Sequence, residues 1–571
     1  MAEYGSPGVY VEEFDEGPGP GEGVATSTVG FIGLAKRGPV IGKPVLITSF
    51  SHFCSMFGGY LDDSVKYRHL AYGVEQFFCN GGSQCYVMRV ASNQDTAAVL
   101  ELSHEGVDLH LEASSVGAWG NEMRITIEKE RLMKTNLLEE AKDPEQRIFH
   151  VKSTFGYMVG DLVELVCGEG REYNRIVSIR ETELELEHNV SIPYVDDHQI
   201  PSILLYRIGF LMRAEGDDHA ETYHVSLNPE AEDYVNHVMG EGNLLHVMFS
   251  MKEETMDHLI TWMAKFQLDD AGYTGFLKGG KTVIEESEEL FLGYDEGPGR
   301  RTGLEAFMDV DDVSIMAIPG VTIPNVQNAL IKHCENMANR FAILDMPKDT
   351  QSVEEMMTYR SHFDSSYAAI YHPWLQIFDP IIKKSTFFPP SASMAGIYAR
   401  VDKFRGVHKA PANEIVCHST GLSENYNERD QGMVNPRGIN LIRTLPGQGT
   451  RVWGARTMSS DASWKYINIR RLFIYMEESI RVLTQWAEFE QNDIYLWMRV
   501  QGSIRVFLHT LWRNGALVGS SEDEAFFVNV GTSTMSQDDI REGRLICVIG
   551  VAPIRPADFV IFYIKHKTKE I

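Results

Sequence analysis

Two strand-like segments stand near opposite ends of this chain with no adjacent segment to pair with. One is Pro7-Gly8-Val9-Tyr10-Val11-Glu12-Glu13-Phe14, followed at once by Asp15-Glu16-Gly17-Pro18-Gly19-Pro20-Gly21. The other is Phe559-Val560-Ile561-Phe562-Tyr563-Ile564-Lys565. Both are rich in β-branched and aromatic residues, which suit a pleated, half-buried surface. The Gly and Pro after the first favour a turn or a tether over a packed element. Chain ends fray unless tied down, and an open apolar strand edge is a template for another chain. The economical expectation is that other copies supply the pairing, which makes the chain a polymer subunit.

With 571 residues, 43% of them hydrophobic and 23% charged, the chain exceeds one core and has the composition of globular protein. A net charge of −28 opposes a nucleic-acid surface, which needs a basic stripe, and opposes docking on anionic membranes. The charge is unevenly placed. The first 23 residues hold Glu3, Glu12, Glu13, Asp15, Glu16 and Glu22 without Lys or Arg, whereas Lys565, Lys567 and Lys569 face only Glu570 at the other end. Seven scattered cysteines without Cys-x-x-Cys spacing favour reduced thiols over a disulfide framework. No signal-peptide pattern and no run approaching the ~20 apolar residues of a membrane helix is apparent, so assembly in a cytoplasm is expected.

The fold class expected is α+β: a mixed α/β core with parallel-type strand–helix units, a β-rich insertion and extended terminal strand arms. Val24–Leu34 and Pro44–Thr48 read as strands, Tyr67–Asn80 as an amphipathic helix stopped by Gly81-Gly82, and Gln84–Val90 as a buried strand. From about residue 101 alternation dominates, as in Met123–Glu128, Leu162–Val166 and Leu184–Glu187, which predicts a sheet or small barrel with one solvated face. Met256–Phe266 adds a short helix, and the loop Asp295–Arg301 closes the region. The apolar run Val313–Ile318, a helix over Asn325–Asn339 and the strand Phe341–Asp345 form a strand–helix–strand unit. Two long helices follow, Tyr466–Phe489 and Asp493–Asn514. The first carries Leu472, Phe473, Met476, Ile480 and Leu483 on one stripe, and the second is capped by Asn492 and Gly515. The organisation expected is an arm over 1–23, a core over 24–100 and 305–571 with a second arm from about 556, and an outward-facing insertion over 101–304.

Three places invite a catalytic reading, and the bland reading prevails at each. Gly531-Thr532-Ser533-Thr534-Met535 is similar to the nucleophile turn of subtilisin-type proteases, yet the motifs that would bring the acid and the base are missing. His219 and His224 are five apart, where a zinc-protease helix needs four. The glycine pairs 58–59, 81–82 and 279–280 lack phosphate-loop spacing, and Asp309, Asp311 and Asp312 read as a solvated turn. No catalytic residue, metal ligand or cofactor is expected.

Several segments carry a resemblance in their joint order. Early ones are Pro7–Glu13, Thr26–Gly33, Lys36-Arg37-Gly38-Pro39, Pro44–Ser49, Phe57-Gly58-Gly59, Phe77–Gly82, Tyr86–Val90 and Gly117-Ala118-Trp119-Gly120-Asn121. Later ones are Asp312–Ile315 with Pro319-Gly320, Arg340–Asp345, Lys409–Asn413, Val452–Thr457, Tyr466–Arg471, Gly515-Ala516-Leu517 and Gly550-Val551-Ala552-Pro553. Together they resemble the contractile tail sheath proteins of bacteriophages and related injection machines over about 1–130 and 305–571, with only loose similarity over 131–300. One departure is Phe489-Glu490-Gln491-Asn492 where the family commonly has Phe-Glu-Pro-Asn; it loses a rigid turn residue and is expected to keep the helix cap.

The resemblance implies stacked hexameric rings around an inner tube, with baseplate and terminator or cap proteins as further partners and no direct nucleic-acid or membrane contact. It also implies that the arms add strands to a neighbour's C-terminal domain, through Val9, Tyr10, Val11 and Glu12 at one end and Phe559, Val560, Ile561, Phe562, Tyr563 and Ile564 at the other. The Gly/Pro stretch at 17 to 23 would be the compliant link, and contraction a one-way relaxation into a better-packed lattice. Arg499, Arg505 and Arg513 are candidates for facing the tube, against the plainer reading of a solvated helix face. A non-contractile tail or shell polymer explains the arms equally well but not the ordered core motifs; a serine hydrolase would rest on Ser533.

Overall fold

The computed structural model describes residues 23–137, 147–191, 203–216, 220–239, 244–252, 255–283 and 287–556. The expected arm contacts Val9–Glu12 and Phe559–Ile564, and His219, lie outside these residues. At the centre is an eight-stranded sheet. Its strands run, in spatial order, Val45–Ile47, Cys85–Arg89, Val29–Gly33, Ile315–Ala317, Phe341–Asp345, Ala368–His372, Ile439–Leu445 and Gly449–Val452. The six inner strands pair parallel and the two outermost antiparallel.

Alternation within each inner strand sends side chains to two different cores. Val29, Phe31, Ile315, Ala317, Phe341 and Ile343 point into one apolar cluster with the helices His69–Cys79 and Ser391–Arg405. Ile32, Met316, Ala342 and Leu344 point into the other, with the helices Pro324–Met337 and Val353–Arg360. Burial on both faces explains why these strands read as continuous apolar runs. The strand–helix–strand expectation at 313–345 is met, with boundaries at Ile315–Ala317, Pro324–Met337 and Phe341–Asp345.

Between Arg89 and Ile315 the chain builds the β-rich insertion. One sheet orders Leu245–Met251, Val107–Ala113 and Val99–His104. The larger one runs Tyr273–Phe276, Arg124–Asn136, Leu204–Glu215, Leu162–Cys167, Gly170–Arg180, Glu183–Leu186 and Ile148–His150, with Ala220–Val225 pairing beside Leu204–Glu215. A bridge between Leu137 and Val151 brings the last strand back to Arg124–Asn136, closing a small six-stranded barrel around Phe149, Val163, Leu165, Ile176, Leu184 and Leu205.

Arg89 ties insertion to core. Its buried guanidinium donates to the Ala35 carbonyl at 3.1 Å, the Gly38 carbonyl at 3.0 Å and, in the insertion, the Val116 carbonyl at 2.8 Å. Next to it, the short turn Ala118–Glu122 holds the returning chain: Asn121 donates to the Gly280 carbonyl at 2.7 Å and accepts from its amide at 2.9 Å.

Candidate assembly site: an open sheet in the C-terminal region

The two long helices run over Ile467–Thr484 and Ile494–Arg513. The first ends earlier than expected, because a short 3-10 turn at Gln485–Ala487 and Phe489 at φ +66° break it. Its stripe is as read: Leu472 and Met476 are buried, and Phe473, Ile480 and Leu483 lean on the same cluster. The cap of the second helix needs a correction. Asp493 caps it, accepting from the Tyr495 and Leu496 amides at 2.9 Å, since a carboxylate one residue closer reaches both orphan donors. Asn492 instead accepts from the Trp497 indole at 2.7 Å and donates to the Arg544 carbonyl at 3.1 Å. Gly515 follows the helix at φ +78°, the left-handed geometry of a helix stop.

Against the buried face of the second helix lies a sheet of only two strands, Phe526–Val530 and Cys547–Val551, paired antiparallel from Phe526↔Val551 to Val530↔Cys547. Phe526 and Val528 are buried on the helix beside Val500, Ile504 and Leu508, and Gln501 donates to the Val528 carbonyl at 2.7 Å. Gly550 lies under the Phe527 ring, where a Cβ would stand 2.2 Å from it. Past the sheet's end, Leu517 bridges Pro553, Val518 donates to the Ala552 carbonyl, and Ile554 donates to the Ala516 carbonyl.

Among the described residues no further strand pairs with either long edge of this sheet. Its solvent side carries Phe527 at 50% and Val548 at 44% exposure. A two-stranded sheet is marginal by itself, and its outer main-chain groups form a template for an added strand. What the arrangement can do chemically is accept a further β-strand through main-chain hydrogen bonds, which would cover Phe527 and Val548.

The second helix presents the other surface. At 100° per residue, Met498, Gly502, Tyr495 and Val506 fall on one solvent-facing arc, with Arg505 and Arg499 toward its two margins about 120° apart. Tyr495 is 74% and Met498 65% exposed. Arg499 stacks on Trp486 at 4.1 Å, and Arg505 pairs with Glu522 at 2.6 Å. Arg513 lies in the last turn, exposed. Arg499 and Arg505 therefore border an apolar strip, Arg513 lies in line with Tyr495 at its C-terminal end, and the three do not form a continuous cationic face.

Ser533 lies exposed in the turn after Phe526–Val530. Thr534 donates to the Ile546 carbonyl, and Ser536 caps the next short helix through Asp539, whose carboxyl is drawn down to about 2 chiefly by the Ser536 hydroxyl. This is a polar turn. Elsewhere, His224 sits on a strand with its ring 2.7 Å from Glu130, and Asp309 pairs with Arg301.

Sequence reasoning missed the two-stranded sheet. Its signal was present: Phe526–Val530 is dominated by aromatic and β-branched residues, and Cys547–Val551 is rich in β-branched residues.

Comparison with known proteins adds a second line. The family model for the phage tail sheath protein central domain matches residues 297–458, and that for the phage tail sheath C-terminal domain matches 459–567. A putative prophage major tail sheath protein of Pseudomonas aeruginosa is 24% identical over 288 residues, covering 48% of this chain and 71% of that protein. A sheath tail protein of Listeria innocua is 10% identical with a TM-score of 0.54, covering 94% and 96% of the two chains. The sheath of an extracellular contractile injection system, the PVC complex in its contracted state, is 20% identical with a TM-score of 0.51, covering 99% of each. At these identities the two solved structures establish a shared fold.

Proposed function

This chain belongs to the contractile tail sheath family and is a structural sheath subunit, and from that premise we propose how it joins its neighbours. Residues 1–23 of one copy and the segment from about 556 of another add strands to the open edges of Phe526–Val530 and Cys547–Val551 in a third. The observation that carries this reading is the two-stranded sheet with both long edges unpaired among the described residues. Val9–Glu12 and Phe559–Ile564 supply the strand-forming residues. Each added main-chain hydrogen bond contributes about 0.5–1.5 kcal/mol net, so a few per arm hold copies together while other contacts slide.

The subunits stack as hexameric rings around an inner tube, bounded by a baseplate and a terminator, with the insertion outward. The strip of Tyr495, Met498 and Val506, bordered by Arg499 and Arg505 and ending at Arg513, faces that tube, since exposed apolar surface of this kind marks a protein interface. Contraction remakes contacts between subunits while each core stays rigid, and the sheath drives its tube through a target envelope. The chain is not an enzyme, and it assembles in the bacterial cytoplasm. Deleting residues 1–23 is expected to leave a folded monomer that forms no tubes under electron microscopy; tubes of normal length would overturn the reading.

A further inference from the structure

Where the described chain begins, it lies in a groove. The cavity has a volume of about 400 Å³ and opens between residues 23–28, the loop 311–314 and one face of the first long helix, Ile467–Thr484. That size falls in the range of ligand clefts, ~300–1,000 Å³. Its apolar wall is Ile474, Tyr475, Val482 and Val313, and its charged lining is Asp311, Asp312, Glu478, Arg471 and Arg481, with Arg481 paired to Glu478.

The chain enters this groove in a fixed direction. Arg471, paired with Asp402 at 2.6 Å, donates to the Thr26 carbonyl at 2.9 Å. Two residues earlier, the Val24 amide donates to the Ser479 hydroxyl at 3.1 Å. Followed backward, the chain thus climbs toward the C-terminal end of the helix. At Gly23 it presses on Tyr475 so closely that a Cβ would stand 2.0 Å from the hydroxyl oxygen. Tyr475 in turn packs on Phe507 of the second long helix, ring centroids 5.8 Å apart.

We propose that this groove seats residues 17–21 of the same chain, Gly-Pro-Gly-Pro-Gly, as an extended polyproline-like segment running along Tyr475 toward Val482. The inference rests on reading residues 1–23 as an arm. Three observations select this occupant. The segment continues directly from Gly23, which already lines the groove. Polyproline segments dock on aromatic-lined grooves at low entropic cost. The run is uncharged, so it needs no ionic partner beside Asp311, Asp312 and the Glu478–Arg481 pair. The Gly/Pro stretch then serves as a seat that aims the arm at the C-terminal region.

The test places a photoreactive benzoyl-phenylalanine at Val482 of the unassembled full chain, in a mixture of isotopically heavy and light protein. The expected product joins position 482 to residues 17–21 within one chain, with no heavy–light pairing. Linkage to the basic segment 557–571 of a second copy, or no linkage to the arm, overturns the proposal. Adding Gly23→Val, whose side chain collides with Tyr475, is expected to remove most of the intrachain product at unchanged melting temperature; retained product also overturns it. Tube formation is not read in this experiment, so its failure is distinct from failure of the arm reading.

Discussion

The eight-stranded core sheet and the two-stranded sheet of the C-terminal region solve the same problem in opposite ways. In the core, every inner strand has a partner on both sides and side chains buried on both faces, as at Phe341–Asp345. In the C-terminal region, Phe526–Val530 and Cys547–Val551 have one another and a single helix. The first is complete within one chain. The second is left open among the described residues. Changes in the core should therefore act on stability, and changes at the open sheet on assembly.

The largest expected effect is that of acid on the core. Burial holds His69 and His333 down to about 3 and His372 to about 4, so the native chain keeps them neutral where the unfolded chain, near 6.5, would protonate. Their contribution is present above 6.5 and lost as pH falls toward 4, at about 1.4 kcal/mol per histidine per pH unit. Asp345, raised to about 6 by burial, works the other way: its native form takes up a proton first, so stability is gained as pH falls from 6 toward 4. Three groups outweigh one. Denaturant unfolding at pH 7 and pH 5 should show a net loss of several kcal/mol at the lower pH; equal stability would break the picture of a sealed core.

Next comes Phe31→Ala. Phe31 is fully buried with its ring 5.6 Å from Phe77, and its loss should cost about 3–5 kcal/mol in the same measurement. Asp493→Ala should cost about 1 kcal/mol through the lost cap, and more than Asn492→Ala, which tests the reassignment of that cap. The smallest effect on the folded monomer belongs to Phe527→Asp, at about 1 kcal/mol or less because the ring is half exposed. Assembly of that variant should nonetheless fail in sedimentation, since a charge replaces the apolar surface that an added strand would cover. A variant that still assembles would dissolve the contrast between the two sheets.

The same contrast explains what the sequence disclosed. Val313–Ile318 announces a doubly covered strand because burial on both faces leaves no polar alternation to blur it. Helix positions were legible from capping chemistry, while the exact cap was not: Asn492 and Asp493 both cap well, and tertiary contacts to Trp497 and Arg544 chose between them. Alternation left a sheet and a small barrel both open, and closure at Leu137↔Val151 could not be read from it, because a sheet closes by register, which alternation alone leaves free. The receptor sheet was overlooked although both its strands carry readable patterns; what no single chain displays is the absence of their partners. The arginines of the second long helix were candidates for facing the tube, and helical geometry places Arg499 and Arg505 at opposite margins of an apolar strip.

Hydrogen exchange on the monomer and on assembled tubes tests the central claim most directly, read at the amides of Phe526–Val530 and Cys547–Val551. If arms from other copies complete this sheet, its outer-edge amides exchange readily in the monomer and become strongly protected in the tube, while those of Phe341–Asp345 are protected in both. Tubes in which the two strands exchange as fast as in the monomer would contradict the account.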